Sequence, residues 1–169
     1  MIKLKRDEFE YVMYNKDCVI IDTSIKGRCI IANRDYKKGE IMCINPILMV
    51  ERSAMSSILR RYVFCPRNTL SADPDKVVVM LGIGFLFCHS DNANLDYVFD
   101  FRKRTVTFTT VRDIPRGYEL TDNYHTPMLW FDAVDDVDLT EHLQNLDKEV
   151  FKPTDSEYLV SSNDGGIGD

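Results

Sequence analysis

Two short segments, LGIGFLFCHSDNAN at residues 81–94 and RGYELTDNY at residues 116–124, decide the fold. The first is an unbroken apolar stretch over residues 81–87 that ends abruptly in a polar cluster containing His89. Apolar runs are normally followed by generic turn residues, so a polar cluster at a buried edge indicates a functional site. The second segment is a Gly turn and a short strand that ends in Tyr124.

Together these segments resemble the signature segments of SET-domain protein-lysine methyltransferases, which read G-x-x-x-F-x-N-H-S-x-x-P-N and G-E-E-L-x-x-x-Y. The matching residues are Gly82 or Gly84, Phe87, His89, Ser90 and Asn94, followed by Gly117, Glu119, Leu120 and Tyr124. A third segment, residues 25–41, is similar to the family's opening K-G-R-G-L-F-A and x-x-G-E-x-I. The resemblance covers about residues 17–131 and is closest to compact viral or bacterial SET proteins without zinc subdomains.

The resemblance implies the SET β-clip fold, which is mostly β: small sheets, a knot-like C-terminal crossing and few short helices. The residue pattern also favours many short strands, because Val, Ile, Tyr, Phe and Thr segments alternate with Gly, Asp and Asn turns. We expect strands at 19–22, 28–32 and 41–50, the last interrupted near Pro46, and a hairpin of 96–101 with 105–109. The first signature's apolar stretch should bring a strand end to His89.

Helical periodicity is confined to two stretches. Residues 55–62 carry apolar side chains at helical spacing, with Ser53 as a candidate N-cap, and leucines recur at spacings of three and four within 133–150. We divide the chain into a SET domain with a short N-terminal extension, 1–131, and an acidic C-terminal segment, 132–169, that is partly helical and then flexible.

Cysteine usage and hydropathy predict the redox environment and the location of the protein. The five cysteines are odd in number and scattered, which is typical of reduced, buried thiols. No C-x-x-C pair occurs, so we predict no metal site. No apolar stretch reaches the roughly 18–20 residues that span a membrane, and the N-terminus lacks the features of a signal peptide. We therefore expect a soluble, intracellular protein.

Charge is distributed unevenly along the chain. Of its 27 acidic residues, eleven lie in residues 132–169, against two lysines. This segment is either a solubilising tail or a contact for a basic substrate, since opposite charge raises encounter rates. Basic groups at Arg60 and Arg61 and at residues 102–104 are too short to favour nucleic-acid binding. A compact zinc-free domain can complete its groove by homodimerising, but no residue pattern indicates a dimer.

The resemblance implies S-adenosyl-L-methionine as cofactor and assigns its binding to Lys26, Gly27, Arg28, Cys88, His89 and Trp130. The first three form a Gly-opened turn, whose alternative interpretation is an ordinary strand turn. The family's Asn is replaced here by Cys88, and losing one hydrogen bond costs about 0.5–1.5 kcal/mol. His89 is interpreted mainly as an anchor of the crossing, while Trp130 closes the pocket.

Tyr124 is the residue to which the resemblance assigns catalysis, with its hydroxyl beside the transferring methyl group; the alternative is a core tyrosine. A phenol with a reference pKa of about 10 acts as a positioning dipole rather than a base. The lysine channel is assigned to Tyr62, Tyr97, Tyr118 and Asp122. The three tyrosines are equally consistent with ordinary core packing. Asp122 stands where the family often has Phe, Tyr or Ile, and a channel carboxylate would favour a charged lysine.

Two functional hypotheses follow from the resemblance. The first is an S-adenosyl-L-methionine-dependent lysine methyltransferase acting on a basic protein or peptide. The second is a non-catalytic SET-like protein-binding module with a weakened cofactor site, which is suggested by Cys29, Cys88 and Asp122 and opposed by Gly27 and Tyr124.

Overall fold

The computed structural model describes residues 1–57, 59–64, 75–125 and 134–150 of the 169-residue chain. In chain order the strands described are β1 (Ile2–Lys3), β2 (Phe9–Tyr14), β3 (Cys18–Thr23), β4 (Gly27–Ala32), β5 (Ile41–Glu51), β6 (Lys76–Met80), β7 (Cys88–His89), β8 (Leu95–Asp100), β9 (Thr105–Thr110), β10 (Thr121–Asp122) and β11 (Val137–Asp138). The α-helix described is α1 (Thr140–Val150), and 3₁₀ turns occupy Arg6–Glu8, Arg52–Ala54, Leu59–Tyr62 and Ile83–Leu86. The prediction of a mostly β fold is confirmed.

The strands form two larger antiparallel sheets and two short parallel pairs. One sheet has the order β6-β5-β9-β8 and the other β2-β3-β4. The parallel pairs, β1 with β11 and β7 with β10, join segments that are distant in sequence. The predicted strands at 19–22 and 28–32 lie within β3 and β4, and the predicted hairpin is formed by β8 and β9.

Strand β5 continues through Pro46, so the predicted interruption is wrong. Residues 41–46 pair with β9, whereas residues 47–51 pair with β6. Proline cannot donate to a strand partner, so a change of partner at this position loses no ladder hydrogen bond. The next N–H group, that of Ile47, donates to the Arg104 carbonyl at 2.9 Å.

The predicted α-helix at 55–62 is also wrong. The described residues of this stretch include only short 3₁₀ turns, because isolated helical stretches shorter than about 12 residues are marginal without packing. Phe64, just beyond, already pairs with Val78 as extended backbone. The apolar stretch before His89 forms the 3₁₀ turn Ile83–Leu86, and the strand that ends at His89 is the two-residue β7.

Buried apolar side chains form two clusters, which β4 separates by its alternating faces. Ile30 packs in the cluster beneath the four-stranded sheet, whereas Cys29 and Ile31 pack in the cluster beside β2 and β3. The second cluster also contains Val137 and Leu143 from the acidic C-terminal segment. That segment therefore supplies core side chains, while the boundary at residue 131 stays a prediction.

The end of the acidic C-terminal segment, residues 160–169, for which we predict flexibility, lies outside the described residues. Within the described ranges, no helix combines the length and the apolar character needed to cross a membrane.

Gly117 should tolerate an added side chain poorly. It has φ +97°, and a Cβ there would lie 2.4 Å from the Thr140 Cα atom. We expect Gly117→Ala to lower the free energy of unfolding by about 3 kcal/mol or more, because backbone atoms cannot move aside cheaply. Gly39→Ala is the matched control: Gly39 has φ +87° but nothing within 4 Å of the added atom, so about 1 kcal/mol is expected. Urea unfolding measures both, and equal losses would contradict the steric argument.

Candidate functional site

The two signature segments meet in the parallel pair of β7 and β10. Cys88 lies opposite Thr121, and His89 lies opposite Asp122. The N–H of Ser90 extends the pairing by donating to the Asp122 carbonyl at 3.0 Å. Because parallel neighbours need a long return connection, the chain between them passes through the β8–β9 hairpin before it comes back.

The side chain of Asn94 holds the backbone of the second signature segment in place. Its Nδ2 donates to the Glu119 carbonyl at 2.7 Å, and its Oδ1 accepts from the Thr121 N–H at 2.9 Å. The side chain is buried and acts as a neighbouring strand would. Between these bonds, the Leu120 N–H donates to the Ile30 carbonyl of β4 at 2.7 Å. The sequence matched Asn94 to the first signature segment; the structure shows that its side chain holds the second one.

His89 positions the backbone of Tyr124. Its buried ring accepts the Tyr124 N–H at Nδ1 over 3.2 Å, and its Nε2 lies 3.2 Å from Asp91 Oδ1. Since Nδ1 accepts, a neutral imidazole carries its proton on Nε2 and donates it to Asp91. The His89 and Tyr124 ring centroids are 5.3 Å apart. These contacts describe an anchoring role, and the cofactor contact of His89 stays a prediction.

The hydroxyl of Tyr124 donates to the Phe87 carbonyl at 2.9 Å, at the end of the apolar stretch. Burial, followed by the neighbouring Cys88 and Asp122 side chains, raises the pKa of Tyr124 well above its ordinary value. The phenol is therefore protonated at neutral pH and can position and polarise a ligand, but it is not a base.

The turn at Lys26, Gly27 and Arg28 has an open face. Gly27 has φ +73°, and a Cβ at this position would meet nothing within 4 Å. The Thr23 hydroxyl holds the turn by accepting the Lys26 N–H at 2.9 Å and donating to the Gly27 carbonyl at 3.1 Å. A rigid turn with free space beside its backbone is suited to close approach by a ligand.

The side chain of Lys26 does not serve as a ligand contact at the open face of the turn but forms an ion pair. Its Nζ lies 2.8 Å from Glu119 Oε2, and both side chains are nearly inaccessible to solvent. Burial lowers the pKa of Lys26, but attraction to Glu119 outweighs it and leaves that pKa raised. Burial raises the pKa of Glu119, and the contact with Lys26 offsets only part of that rise. Sequence reasoning missed this pair, although both residues stand in recognised motifs.

Cys29 and Cys88 lie against each other between the two cofactor-assigned segments. Their Sγ atoms are 4.0 Å apart, and the thiols point at the Gly27 carbonyl (3.6 Å) and the Arg28 carbonyl (3.2 Å) respectively. The contact with Cys88 and burial together raise the pKa of Cys29, so this residue is a protonated thiol. Nothing in the sequence indicated that these cysteines touch.

The three tyrosines assigned to the lysine channel occupy different surroundings. Tyr97 packs near the site, 5.6 Å from the Phe108 ring and 6.2 Å from the His125 ring that follows Tyr124. Tyr62 is half-exposed and stacks on Phe85 at 5.6 Å. Tyr118 lines a separate cavity. All three assignments stay predictions, and that of Trp130 lies outside the described residues.

That cavity has a volume of about 240 Å³ and lies beside Glu119. Its lining also includes Asn92, Asn94, Arg112 and Tyr118. It does not include Gly27, Cys88 or Tyr124, so it is distinct from the place where the signature segments meet. We place the candidate site by those segments and not by this cavity.

Asp122 is buried, with 1% of its surface exposed, and its Oδ2 has no hydrogen-bond partner among the described residues. Burial raises the pKa of Asp122 to about 8, an effect that the Asn123 N–H opposes and Asp96 reinforces. The structure buries this side chain on the strand paired with His89, whose ring anchors the Tyr124 backbone.

Comparison with known proteins gives a consistent family. A model of the SET domain matches residues 27–125. The histone-lysine N-methyltransferase of Schizosaccharomyces pombe that is specific for H3 lysine-37 is 27% identical over 113 residues, which cover 67% of this chain and 76% of that protein.

Solved structures share the fold at low sequence identity. A crystal structure of a Plasmodium falciparum protein described as a histone methyltransferase superposes with a TM-score of 0.53 at 19% identity, covering 70% of this chain and all of that one. A humanized mutant of the Chaetomium thermophilum Polycomb Repressive Complex 2, bound to an inhibitor, gives 0.52 at 19% identity over 66% of this chain and 15% of that chain.

Replacing the buried carboxylate should stabilise the protein in a pH-dependent manner. The pKa of Asp122 is raised to about 8 in the folded state, so the folded protein retains a proton that the unfolded chain loses near pH 4. Stability therefore falls as pH rises through this window. We expect the advantage of Asp122→Asn to grow by up to about 1.4 kcal/mol per pH unit from about pH 6 to about pH 8 in urea unfolding.

The exposed Asp7 supplies the control for this measurement, because Asp7→Asn removes the same charge from the surface. A stability difference for Asp122→Asn that stays constant across the range would contradict the raised pKa.

Proposed function

The chain belongs to the SET-domain family of protein-lysine methyltransferases, and from this premise we propose that it transfers methyl groups from S-adenosyl-L-methionine to lysine side chains of a basic protein segment. The observation that supports this proposal most directly is the double anchoring of Tyr124. Its N–H is held by His89 and its hydroxyl by the Phe87 carbonyl, so both ends of the residue are tied to the first signature segment.

The turn at Lys26, Gly27 and Arg28 fits the methyl donor. This ligand combines an adenine with a carboxylate and an ammonium group, and therefore needs apolar walls together with backbone polar groups. The space beside Gly27 lets a ligand approach the backbone, and Cys88 and His89 follow on the adjacent strand β7. When bound, S-adenosyl-L-methionine supplies an electrophilic methyl group on a sulfonium.

Tyr124 acts as the positioning residue for the reacting groups. Its hydroxyl proton is committed to the Phe87 carbonyl, so its oxygen presents lone-pair density. Such an oxygen orients polarised C–H groups through weak but directional contacts. The raised pKa of the phenol keeps this arrangement intact at neutral pH.

The substrate amine must be neutral to react. A lysine with a reference pKa of about 10.4 is only roughly 0.1% neutral at physiological pH, a penalty of about 4 kcal/mol. Asp122 does not oppose this deprotonation, because burial raises its pKa to about 8 and keeps the carboxyl largely protonated at neutral pH. The cationic sulfonium of the donor disfavours the ammonium form and lowers the pKa of the substrate lysine. Aromatic groups such as Tyr97 suit the alkyl stem and a methylammonium product.

Acidity of the C-terminal segment gives weaker support for a basic substrate than its composition suggests. Asp135 lies 3.8 Å from the N-terminal amine, Glu141 lies 3.2 Å from Lys3, and Asp136 lies 4.0 Å from Lys26. These acids are partly neutralised within the chain, so the choice of a basic substrate rests chiefly on the family. Homodimerisation and an intracellular location stay predictions.

Replacing Tyr124 by Phe should separate cofactor binding from methyl transfer. Calorimetric titration should give one saturable site for S-adenosyl-L-methionine in both the wild-type protein and Tyr124→Phe. Transfer of a labelled methyl group to histones and basic peptides should fall about 100-fold in the variant, because the loss of a positioning hydroxyl misaligns the reacting atoms.

Tyr36→Phe is the matched control for this variant. The Tyr36 hydroxyl likewise donates to a backbone carbonyl, that of Asp17 at 2.8 Å, but it lies in the core. Its removal should leave transfer unchanged. Absence of cofactor binding at millimolar ligand would overturn the enzymatic proposal and favour the non-catalytic module. Binding without transfer to any basic protein would instead contradict the substrate class.

A further inference from the structure

Three side chains from the three signature segments converge behind the cofactor turn. Cys29, Cys88 and Glu119 bring two sulfur atoms and one carboxylate oxygen within 4.8 Å of one another. The two Sγ atoms are 4.0 Å apart. Zinc–sulfur bonds are about 2.3 Å long, so two sulfurs of a tetrahedral site lie about 3.8 Å apart. The thiol pair already has nearly this separation.

Glu119 gives a second indication of a bound ion, independent of the distance between the two sulfur atoms. Its Oε2 accepts from Lys26 Nζ and from the Val137 N–H at 2.7 Å, whereas its Oε1 is buried and has no hydrogen-bond partner among the described residues. A buried polar atom left without a partner costs about 1–3 kcal/mol, and more when it is charged. A cation beside the thiols would satisfy this oxygen.

The local charges select the valence of that cation. Two thiolates and the Glu119 carboxylate carry three negative charges, and Lys26 contributes one positive charge at 2.8 Å from the carboxylate. A divalent cation makes the buried group neutral. Thiolate ligands favour borderline-soft ions such as Zn²⁺ over Mg²⁺ or Ca²⁺, which require mainly oxygen ligands.

We propose that Cys29, Cys88 and Glu119 form a site for a borderline-soft divalent cation such as Zn²⁺. Binding breaks two S–H bonds and forms two metal–sulfur bonds, and both protons leave for the solvent. The carboxylate coordinates without losing a proton. Cys88 is partly exposed and gives the ion access, and a water molecule completes the fourth position of the tetrahedron. This site was not predicted from the sequence, which lacks C-x-x-C pairs.

Occupancy of this site excludes the methyl donor, an inference that rests on the proposed function. The Cys88 thiol donates a hydrogen bond to the Arg28 carbonyl, so it links the cofactor turn to β7. Pulling both sulfurs onto one ion tightens this junction and so changes the shape of the turn that the donor must approach.

Titration of the tag-free full chain with Co²⁺, under a non-thiol reductant, tests the site spectroscopically. We expect the visible bands of tetrahedral cobalt and thiolate-to-cobalt charge transfer, saturating at one equivalent and abolished by excess Zn²⁺. A pH indicator should report two protons released per Zn²⁺ bound.

Cys88→Ser should remove the charge-transfer band, lower the affinity by about tenfold or more, and reduce the release to one proton. Cys43→Ser is the matched control, since Cys43 is also a partly buried thiol but packs against the other core cluster. Thermal unfolding verifies that both variants fold. Unchanged cobalt spectra in Cys88→Ser, equal losses in both variants, or no proton release by the wild-type protein would overturn the site.

Calorimetry with and without one equivalent of Zn²⁺ tests the exclusion. Zinc should weaken S-adenosyl-L-methionine binding to the wild-type protein at least about tenfold, and should have little effect on Cys88→Ser. Equal binding with and without zinc would overturn exclusion. If the zinc-free protein does not bind the donor, the proposed function fails, whereas the cobalt and proton measurements still decide the metal site.

Discussion

The backbone of residues 119–121 must be buried and fully hydrogen-bonded, and the rest of the site depends on how this is achieved. Buried N–H and C=O groups need partners, yet this segment is too short to pair along a full strand. The Asn94 side chain pairs with the Glu119 carbonyl and with the Thr121 N–H. Strand β4 supplies a third partner, the Ile30 carbonyl, to the Leu120 N–H. An amide carries a donor and an acceptor together, so one side chain replaces one strand edge.

Burial of this segment has consequences for the side chains that it carries. Glu119 enters the interior as a charge and is stabilised by Lys26, while Asp122 has no partner for Oδ2 within the part of the chain that the structure describes and takes a raised pKa. Polar groups buried in this manner cost stability, and groups with strongly perturbed pKa values cluster at functional sites. Their position in the five residues before Tyr124 is therefore a physical reason to regard the crossing as functional.

The sequence predicted the elements whose signals are local. Alternating β-branched and aromatic residues identified the hairpin of β8 and β9, and the family resemblance of the two signature segments implied the crossing. Contacts between distant segments carried no such signal: the Lys26–Glu119 ion pair and the Cys29–Cys88 contact appear only when the fold brings these residues together. Residues 55–62 show the opposite error, since local helical periodicity was overridden by the extended pairing of Phe64.

The two cysteines that depart from the family pattern are neighbours in space, so they are best understood together. The replaced hydrogen bond is worth about 0.5–1.5 kcal/mol, which lowers affinity roughly 2- to 13-fold and leaves binding possible. The thiol pair thus lowers the affinity for the donor only modestly. In exchange it adds two soft ligands beside a buried carboxylate, so donor binding and ion binding become alternative states of one site.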